Sequence, residues 1–419
     1  MTRTLNVWWD RRLVGRLTQD RHGELGFVYA DTWIEQEDAP TLSASLPKRA
    51  EPYRRRECRP FFGGLLPEEG QRHAAARAVG VSPANDFALL DKLGGDVAGA
   101  LQILPPEATP TTPDRAPTPR LLDDAGLIRV LDALPTRPLL AGEEGLRLSL
   151  AGSQSKVPVV VVEGAVALPS SGQPTTHILK PSIARFPGTT ENEAFVMRLA
   201  AAAGLDVAPV EPRVVSDRRF LLVERYDRSF DPAGQIRRIH QEDFCQALAV
   251  NPERKYPGEG GPTFSDCFGL LRQVCVRPAV EVLKLLDAVV FNLLVGNADA
   301  HGKNFSVLYD EGGPCLAPLY DLLATVAYPE LSPNLAMKIG GAATLGDMDP
   351  KAWAAFAGDA TLGLPLVRRR VTEISEAVKE QANEVARTLI QPGLDEEILS
   401  RIVELVVGRA ERCARTVRP

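Results

Sequence analysis

Metal-binding side chains are scarce in this sequence. Its 419 residues include six cysteines and five histidines. The cysteines (Cys58, Cys245, Cys267, Cys275, Cys315 and Cys413) form no CxxC pair and have no histidine at ligand spacing, which argues against a structural zinc site. They read as small buried hydrophobes in a reducing compartment. Excess positive charge is absent as well. With a formal net charge of −6, the chain is not built to coat nucleic acid by counterion release, so any DNA contact is local or supplied by a partner. The N-terminal MTRTLNVWWDRRLVG has no apolar core of a secretory signal. The most apolar helical stretch carries Glu281, Lys284 and Asp287, which excludes a membrane span. These absences predict a cytoplasmic protein without a membrane partner. No internal repeat and no long charge run occurs, and the length allows two or three domains.

What is present centres on Gly296–Leu322, GNADAHGKNFSVLYDEGGPCLAPLYDL. Asp299 is followed five residues later by Asn304 and, after an apolar run, by Asp321. The D-x-x-x-x-N interval is that of a protein-kinase catalytic loop, with a second Asp following as a further metal ligand. The residue types suit phosphoryl transfer, which needs hard oxygen ligands for Mg²⁺ and an acceptor for one hydroxyl proton. Alone, the pair reads equally well as a surface turn, because Gly296, Asn297, Asp299, Gly302 and Asn304 are all turn formers. Its surroundings favour the site: an apolar helix over Val280–Val295 precedes it, a strand over Phe305–Tyr309 follows, and Leu319-Tyr320-Asp321 ends a second strand.

The rest of the chain supplies a plausible frame. Residues 5–31 alternate as a strand meander. FFGGLLPEEG (61–70) reads as a turn and a proline-initiated helix, and GGDVAGALQIL (94–104) as a loop entering a strand. Six prolines within Pro105–Arg120 predict an extended linker and a domain boundary. A short helix is expected over Leu121–Leu134, and LRLSL, AGSQSK and VPVVVV read as strand, loop and strand. HILKP (177–181) is a strand carrying Lys180, either a snorkelling surface lysine or a phosphate ligand. In the helix over residues 190–205, Thr190 and Glu193 fit a capping box, and Glu193 fits a partner for Lys180 equally well. Residues 213–228 form a hairpin, and IHQEDFCQAL (239–248) opens a helical region. Beyond Asp321 the chain is expected to be helical. Arg368-Arg369-Arg370 reads as a solvated helix face.

GNADAHGKNFS, LYDL, SLAGSQSK, HILKP and VERYDR, in order along most of the chain, together resemble the HipA family of bacterial toxin kinases. The resemblance implies an α+β, bilobal kinase-like fold with a mixed β N-lobe, a helical C-lobe and an extra N-terminal α/β subdomain. The corresponding spans are 1–104, a linker over 105–120, 121–226 and 227–419. It further implies an ATP-dependent, Mg²⁺-requiring serine/threonine protein kinase. Asp299 would orient the acceptor hydroxyl, and Asn304 and Asp321 would hold the metal. Ala151, Gly152, Ser153, Gln154, Ser155, Lys156 and Lys180 would bind the nucleotide phosphates, with Ser155 standing where the family has an acidic residue. Glu224, Arg225 and Tyr226 would form the adenine hinge. His301, Gly302 and Lys303 would lie beside the γ-phosphate, and Tyr320, with Asn304 and Asp321, would also bind ATP. Ser149 matches the family's autophosphorylated serine. The implied partners are a HipB-like helix-turn-helix antitoxin, operator DNA mainly through that antitoxin, and an aminoacyl-tRNA synthetase as protein substrate. An aminoglycoside-type small-molecule kinase could use the same Asp, Asn and Asp, and a catalytically silent co-repressor module is the other alternative.

Overall fold

A computed structural model describes residues 2–110, 118–390 and 393–417. Residues 111–117 of the expected linker therefore lie outside the described residues. The chain divides into two compact units that interleave in sequence. The first contains the residues up to Pro181, Glu224–Glu253 and Leu308–Asp310; the second contains Ser182–Val223, Arg254–Val307 and the chain from Glu311. Strands and helices are both present, giving an α+β protein. Among the described residues no helix is long and apolar enough to cross a membrane.

The first unit opens with the expected meander. Arg3–Trp9, Arg12–Gln19 and Leu25–Tyr29 pair antiparallel, with Tyr53–Arg54 on one edge and Leu101–Leu104 on the other. Side chains alternate across a strand, so Leu5, Val7, Leu17, Phe27 and Tyr29 all reach one core. Phe61, Phe62, Leu89 and Leu90 close that core. FFGG is not a turn: it ends the helix Arg55–Gly64. Complete burial of both phenylalanines outweighs the poor helix propensity of two glycines. Gly64 also lets a neighbour approach, since a Cβ there would stand 2.7 Å from Gln246 Cγ. Pro67 does not begin the next helix, which starts at Glu69.

Two more local expectations shift in this unit. Arg120–Leu121 form a short strand on Ala165–Leu168, and the helix begins at Asp124, with the Asp123 carboxylate accepting from the Gly126 N–H. LRLSL is no regular strand; Leu148 makes a single bridge to Asp96. Val157–Val162 and His177–Pro181 are strands as expected, and with Ala165–Leu168 they pair antiparallel, Val157–Val162 in the middle. Residues 239–248 open as the strand His240–Asp243 and continue into a one-turn helix, Phe244–Ala247.

The second unit is mostly helical, with the expected hairpin of Val210–Val215 and Arg218–Glu224. Thr190 does not cap its helix. Thr189–Ala202 begins after Gly188, whose φ of 74° only glycine adopts readily, and the Thr190 hydroxyl bonds to Ser182. Beyond Asp321 the chain runs to Asp349 with only 3₁₀ turns, because Pro329, Pro333, Gly340 and Gly341 interrupt any helix. Helices return with Pro350–Asp359, Leu364–Leu389 and Glu396–Thr416. Leu364–Leu389 buries Val367, Val371, Ile374, Val378, Ala382, Val385 and Leu389, a stripe spaced three and four residues apart. Arg370 is not simply solvated: its guanidinium forks onto the Asp287 carboxylate at 2.7 and 2.6 Å.

Candidate active site

The helix Pro278–Val295 is apolar on nearly every face and ends at Gly296, whose φ of 76° makes a left-handed cap. A helix end leaves carbonyls without intrahelical donors. Here Arg409, from the Glu396–Thr416 helix, donates to the carbonyls of Leu293 and Leu294 at 2.8 and 3.1 Å. Burial, with Arg412 nearby, pushes its pKa down to about 10. The loop after Gly296 is fixed in the same way. The Asn297 amide donates to Asn292, and the Thr325 hydroxyl joins the Gly296 carbonyl to the Ala298 N–H. Replacing Arg409 with Met, which keeps the stem and removes the donors, is expected to cost about 2 kcal/mol of stability in calorimetry. It should also slow turnover by loosening this loop.

Within that frame Asp299 is the one exposed residue between Gly296 and Lys303. Its Oδ1 accepts a hydrogen bond from the Tyr256 hydroxyl at 2.9 Å. The Tyr256 ring stands edge-on to His301, with centroids 5.3 Å apart. A 3₁₀ turn, Gly302–Asn304, then carries the chain inward. The Asn304 Oδ1 accepts from the His301 N–H at 3.2 Å, and its Nδ2 donates to Asp321 Oδ2 at 3.3 Å. Leu319 is held by backbone bonds to Asp206 and Ala208, and the Tyr320 hydroxyl bonds to the Lys303 carbonyl at 2.7 Å. Asp321 itself has φ of 58°, a left-handed conformation uncommon outside glycine that Asp and Asn adopt more readily than other side chains.

The donor set fits a hard cation. Asn304 and Asp321 offer oxygens only, and the Asn304 oxygen retains a second lone pair beyond its bond to His301. Among the described residues no three His, Cys, Asp or Glu side chains gather as a metal cage. Two protein ligands, with the remaining positions left to water and phosphate, suit Mg²⁺.

The other expected site residues lie in the first unit. The Ala151–Lys156 loop rests on the start of the Glu69–Ala78 helix. The Gly152 N–H donates to the Glu68 carboxylate and its carbonyl accepts from the Glu68 N–H, both at 3.1 Å. Gly152 has φ of 110°, and a Cβ there would stand 2.5 Å from the Lys156 ammonium, so the position requires glycine. Lys156 Nζ donates to the Ala151 carbonyl at 2.9 Å, and Ser155 bonds to Gln71. Gln154 is half-buried and Ser153 exposed. Ser149 is completely buried, and its hydroxyl donates to the Leu65 carbonyl at 2.7 Å. Lys180 lies on the strand His177–Pro181 and is buried. Glu224 ends its strand, the Arg225 N–H donates to the Thr176 carbonyl at 2.9 Å, and the Tyr226 hydroxyl bonds to Gln241.

Asp299, His301, Gly302, Lys303, Asn304, Tyr320 and Asp321 are thus brought together within the second unit. Sequence reasoning missed Tyr256, Thr325 and Arg409 there, and Glu68 and Asp96 in the first unit. Nothing local marks them, because each acts through a partner far away in the chain.

Residues 148–386 match the HipA-like C-terminal domain, and residues 5–104 match the HipA N-terminal domain. The chain is 65% identical over 413 residues to the Sinorhizobium fredii protein Y4mE, named as a kinase, with 98% of both chains covered. It is 31% identical over 433 residues to the serine/threonine-protein kinase toxin HipA of Shewanella oneidensis, covering 99% of this chain and 96% of that one. A solved structure of a toxin–antitoxin complex from the same organism, containing HipA, HipB and operator DNA, aligns at a TM-score of 0.86. The identity is 28%, and 97% of each chain is covered.

Proposed function

The chain belongs to the HipA family of serine/threonine kinases, and from that premise we propose that it is the ATP-dependent toxin of a toxin–antitoxin pair. It acts in the cytoplasm on a serine or threonine of a translation protein of the aminoacyl-tRNA synthetase class. A HipB-like antitoxin is its partner and carries most of the contact with operator DNA. The observation that carries the reading is the contact between Asn304 and an Asp321 held in a left-handed conformation.

In this reading Asn304 Oδ1 and the Asp321 carboxylate hold Mg²⁺. Lys180 and residues 151–156 position the nucleotide phosphates, and backbone groups of Glu224–Tyr226 receive adenine. His301, Gly302 and Lys303 lie beside the γ-phosphate, with Tyr320 supporting the Lys303 carbonyl. Bound Mg²⁺ would offset the negative charge of the phosphates. Asp299 orients the attacking hydroxyl and takes its proton on a carboxylate oxygen that is exposed enough to meet a protein acceptor. Phosphate transfer from radiolabelled ATP into a lysate, followed by identification of the labelled band, tests the reading. Absence of any labelled protein with the wild-type chain would overturn it.

Tyr256 bears on the same step, since its hydroxyl sits on Asp299 as an acceptor hydroxyl would. Tyr256→Phe keeps the ring against His301 and removes that occupant. An exposed hydrogen bond of about 1 kcal/mol corresponds to a transfer rate raised by up to about fivefold. Initial rates at fixed acceptor concentration check this, and a slower variant would instead assign Tyr256 to holding Asp299 in place.

A further inference from the structure

The first unit contains a buried ionic cluster that the proposed reaction does not use. Asp96 lies between the helix Asp86–Leu93 and the strand Leu101–Leu104, within the part of the chain that matches the N-terminal HipA domain. Its backbone clasps the segment before the phosphate loop: the Asp96 N–H donates to the Arg147 carbonyl at 2.9 Å, and the Ser149 N–H donates to the Asp96 carbonyl at 3.0 Å. Gly95 permits this approach, because a Cβ there would stand 2.8 Å from the Arg147 carbonyl oxygen.

The Asp96 carboxylate reaches two further segments. Oδ2 accepts from the Thr175 hydroxyl at 2.7 Å, the Thr175 N–H at 3.3 Å and Arg225 at 3.2 Å. Oδ1 accepts from Arg228 and Arg238, both at 3.0 Å. Burial alone would raise the pKa of Asp96, but the guanidinium groups of Arg228, Arg238 and Arg225 outweigh it and hold the carboxyl at about 2. Asp227 is the second carboxylate of the cluster and takes both arms of Arg225. Three arginines therefore face two aspartates, and Asp96 is the residue they share with the chain around Ser149. Arg225 also donates to the Thr175 hydroxyl at 2.9 Å.

A buried ion pair is weak evidence for stability, because desolvation offsets most of its attraction. Its placement is more informative. The three segments meeting at Asp96 run directly into the Ala151–Lys156 loop, the Lys180 strand and the Glu224–Tyr226 hinge. We infer that Asp96 is a positioning residue for the nucleotide, contributed by the N-terminal domain, which locks phosphate loop, lysine strand and hinge into one rigid assembly. The inference rests on the kinase reading for the identity of the ligand, while the locking itself is independent of it.

Thr175→Val tests this with little change of volume and no buried charge left alone. It deletes the hydroxyl bonds to Asp96 and Arg225. Hydrogen exchange on the full chain without nucleotide should quicken together in residues 147–156 and 224–228, leaving the Pro278–Val295 helix unchanged. KM for ATP should rise about tenfold while kcat at saturating ATP stays within about twofold. Thr175→Ser, which keeps the hydroxyl and loses the methyl, should restore wild-type values; a mere packing role would instead impair Ser and spare Val, which fills the same space. Asp96→Asn should give the same pattern, larger. Faster exchange in one segment alone, or a fall in kcat with KM unchanged, overturns the inference. A wild-type chain that binds no ATP sinks the kinase reading and the nucleotide role together, and the exchange pattern then decides the locking by itself.

Discussion

Asp321→Asn is expected to lower phosphate transfer from Mg-ATP by roughly 10³-fold while leaving the chain folded. The substitution is matched to its position. Asp321 has φ of 58°, and Asn is among the residues that accept this conformation best, so backbone strain does not increase. The side chain keeps its shape and can still meet the Asn304 amide, 3.3 Å away in the wild type. What disappears is one negative charge where a divalent cation and a triphosphate must be held together. Alanine would be a poorer choice, because it adds strain in the left-handed region and blurs the result. Initial rates with radiolabelled ATP, beside a thermal midpoint within a few degrees of wild type, provide the measurement. Near-normal rates would remove Asp321 from the metal site. Asp299→Asn should be comparably inactive, since it removes the proton acceptor while leaving Asn304 and Asp321 untouched.

Phosphorylation of Ser149 is expected to weaken ATP binding by about 10²-fold. The hydroxyl is completely buried and donates to the Leu65 carbonyl. A phosphate brings about −1.5 to −2 charge and several acceptor oxygens to a place where the neighbouring group is itself an acceptor. The modified side chain cannot remain there. The segment must leave, breaking the Ser149 N–H bond to the Asp96 carbonyl, and the Ala151–Lys156 loop leaves with it. The same burial makes the reaction slow, because the hydroxyl is reachable only when the segment opens. Intact-mass analysis during incubation with Mg-ATP should show one phosphate accumulating as activity declines, and peptide mapping should place it on Ser149. Ser149→Ala should give linear progress curves, at a cost of about 1 kcal/mol for the orphaned Leu65 carbonyl. No added phosphate, or phosphate only elsewhere, rejects the idea.

The parts legible from sequence are those whose cause is local. The meander declares itself by alternation and the Pro278–Val295 helix by its apolar content, whereas the strand expected to end at Asp321 already ends at Leu316, and Leu319 makes only a single bridge to Val207. Where a distant partner decides, local pattern misleads. Phe61 and Phe62 hold glycines in a helix because a sheet covers them. Thr190 satisfies the letters of a capping box but turns to Ser182, and Arg370 leaves its basic run for Asp287. The supports of the proposed site were illegible for the same reason: Tyr256 is 43 residues from Asp299, Arg409 is 115 from Leu294, and Asp96 is 129 from Arg225.

The interleaving of the two units has a consequence for biogenesis. The first unit includes Leu308–Asp310, and there the Tyr309 hydroxyl closes onto Glu242, 67 residues earlier. At about 5–20 residues per second, a ribosome exposes Glu242 for about 3–13 s before its partner is made. Throughout that interval an acidic side chain destined for the interior has no tyrosine to meet, and among the described bonds to its carboxylate only those from the Ser43 hydroxyl and the Ala44 N–H, both made earlier, can hold it.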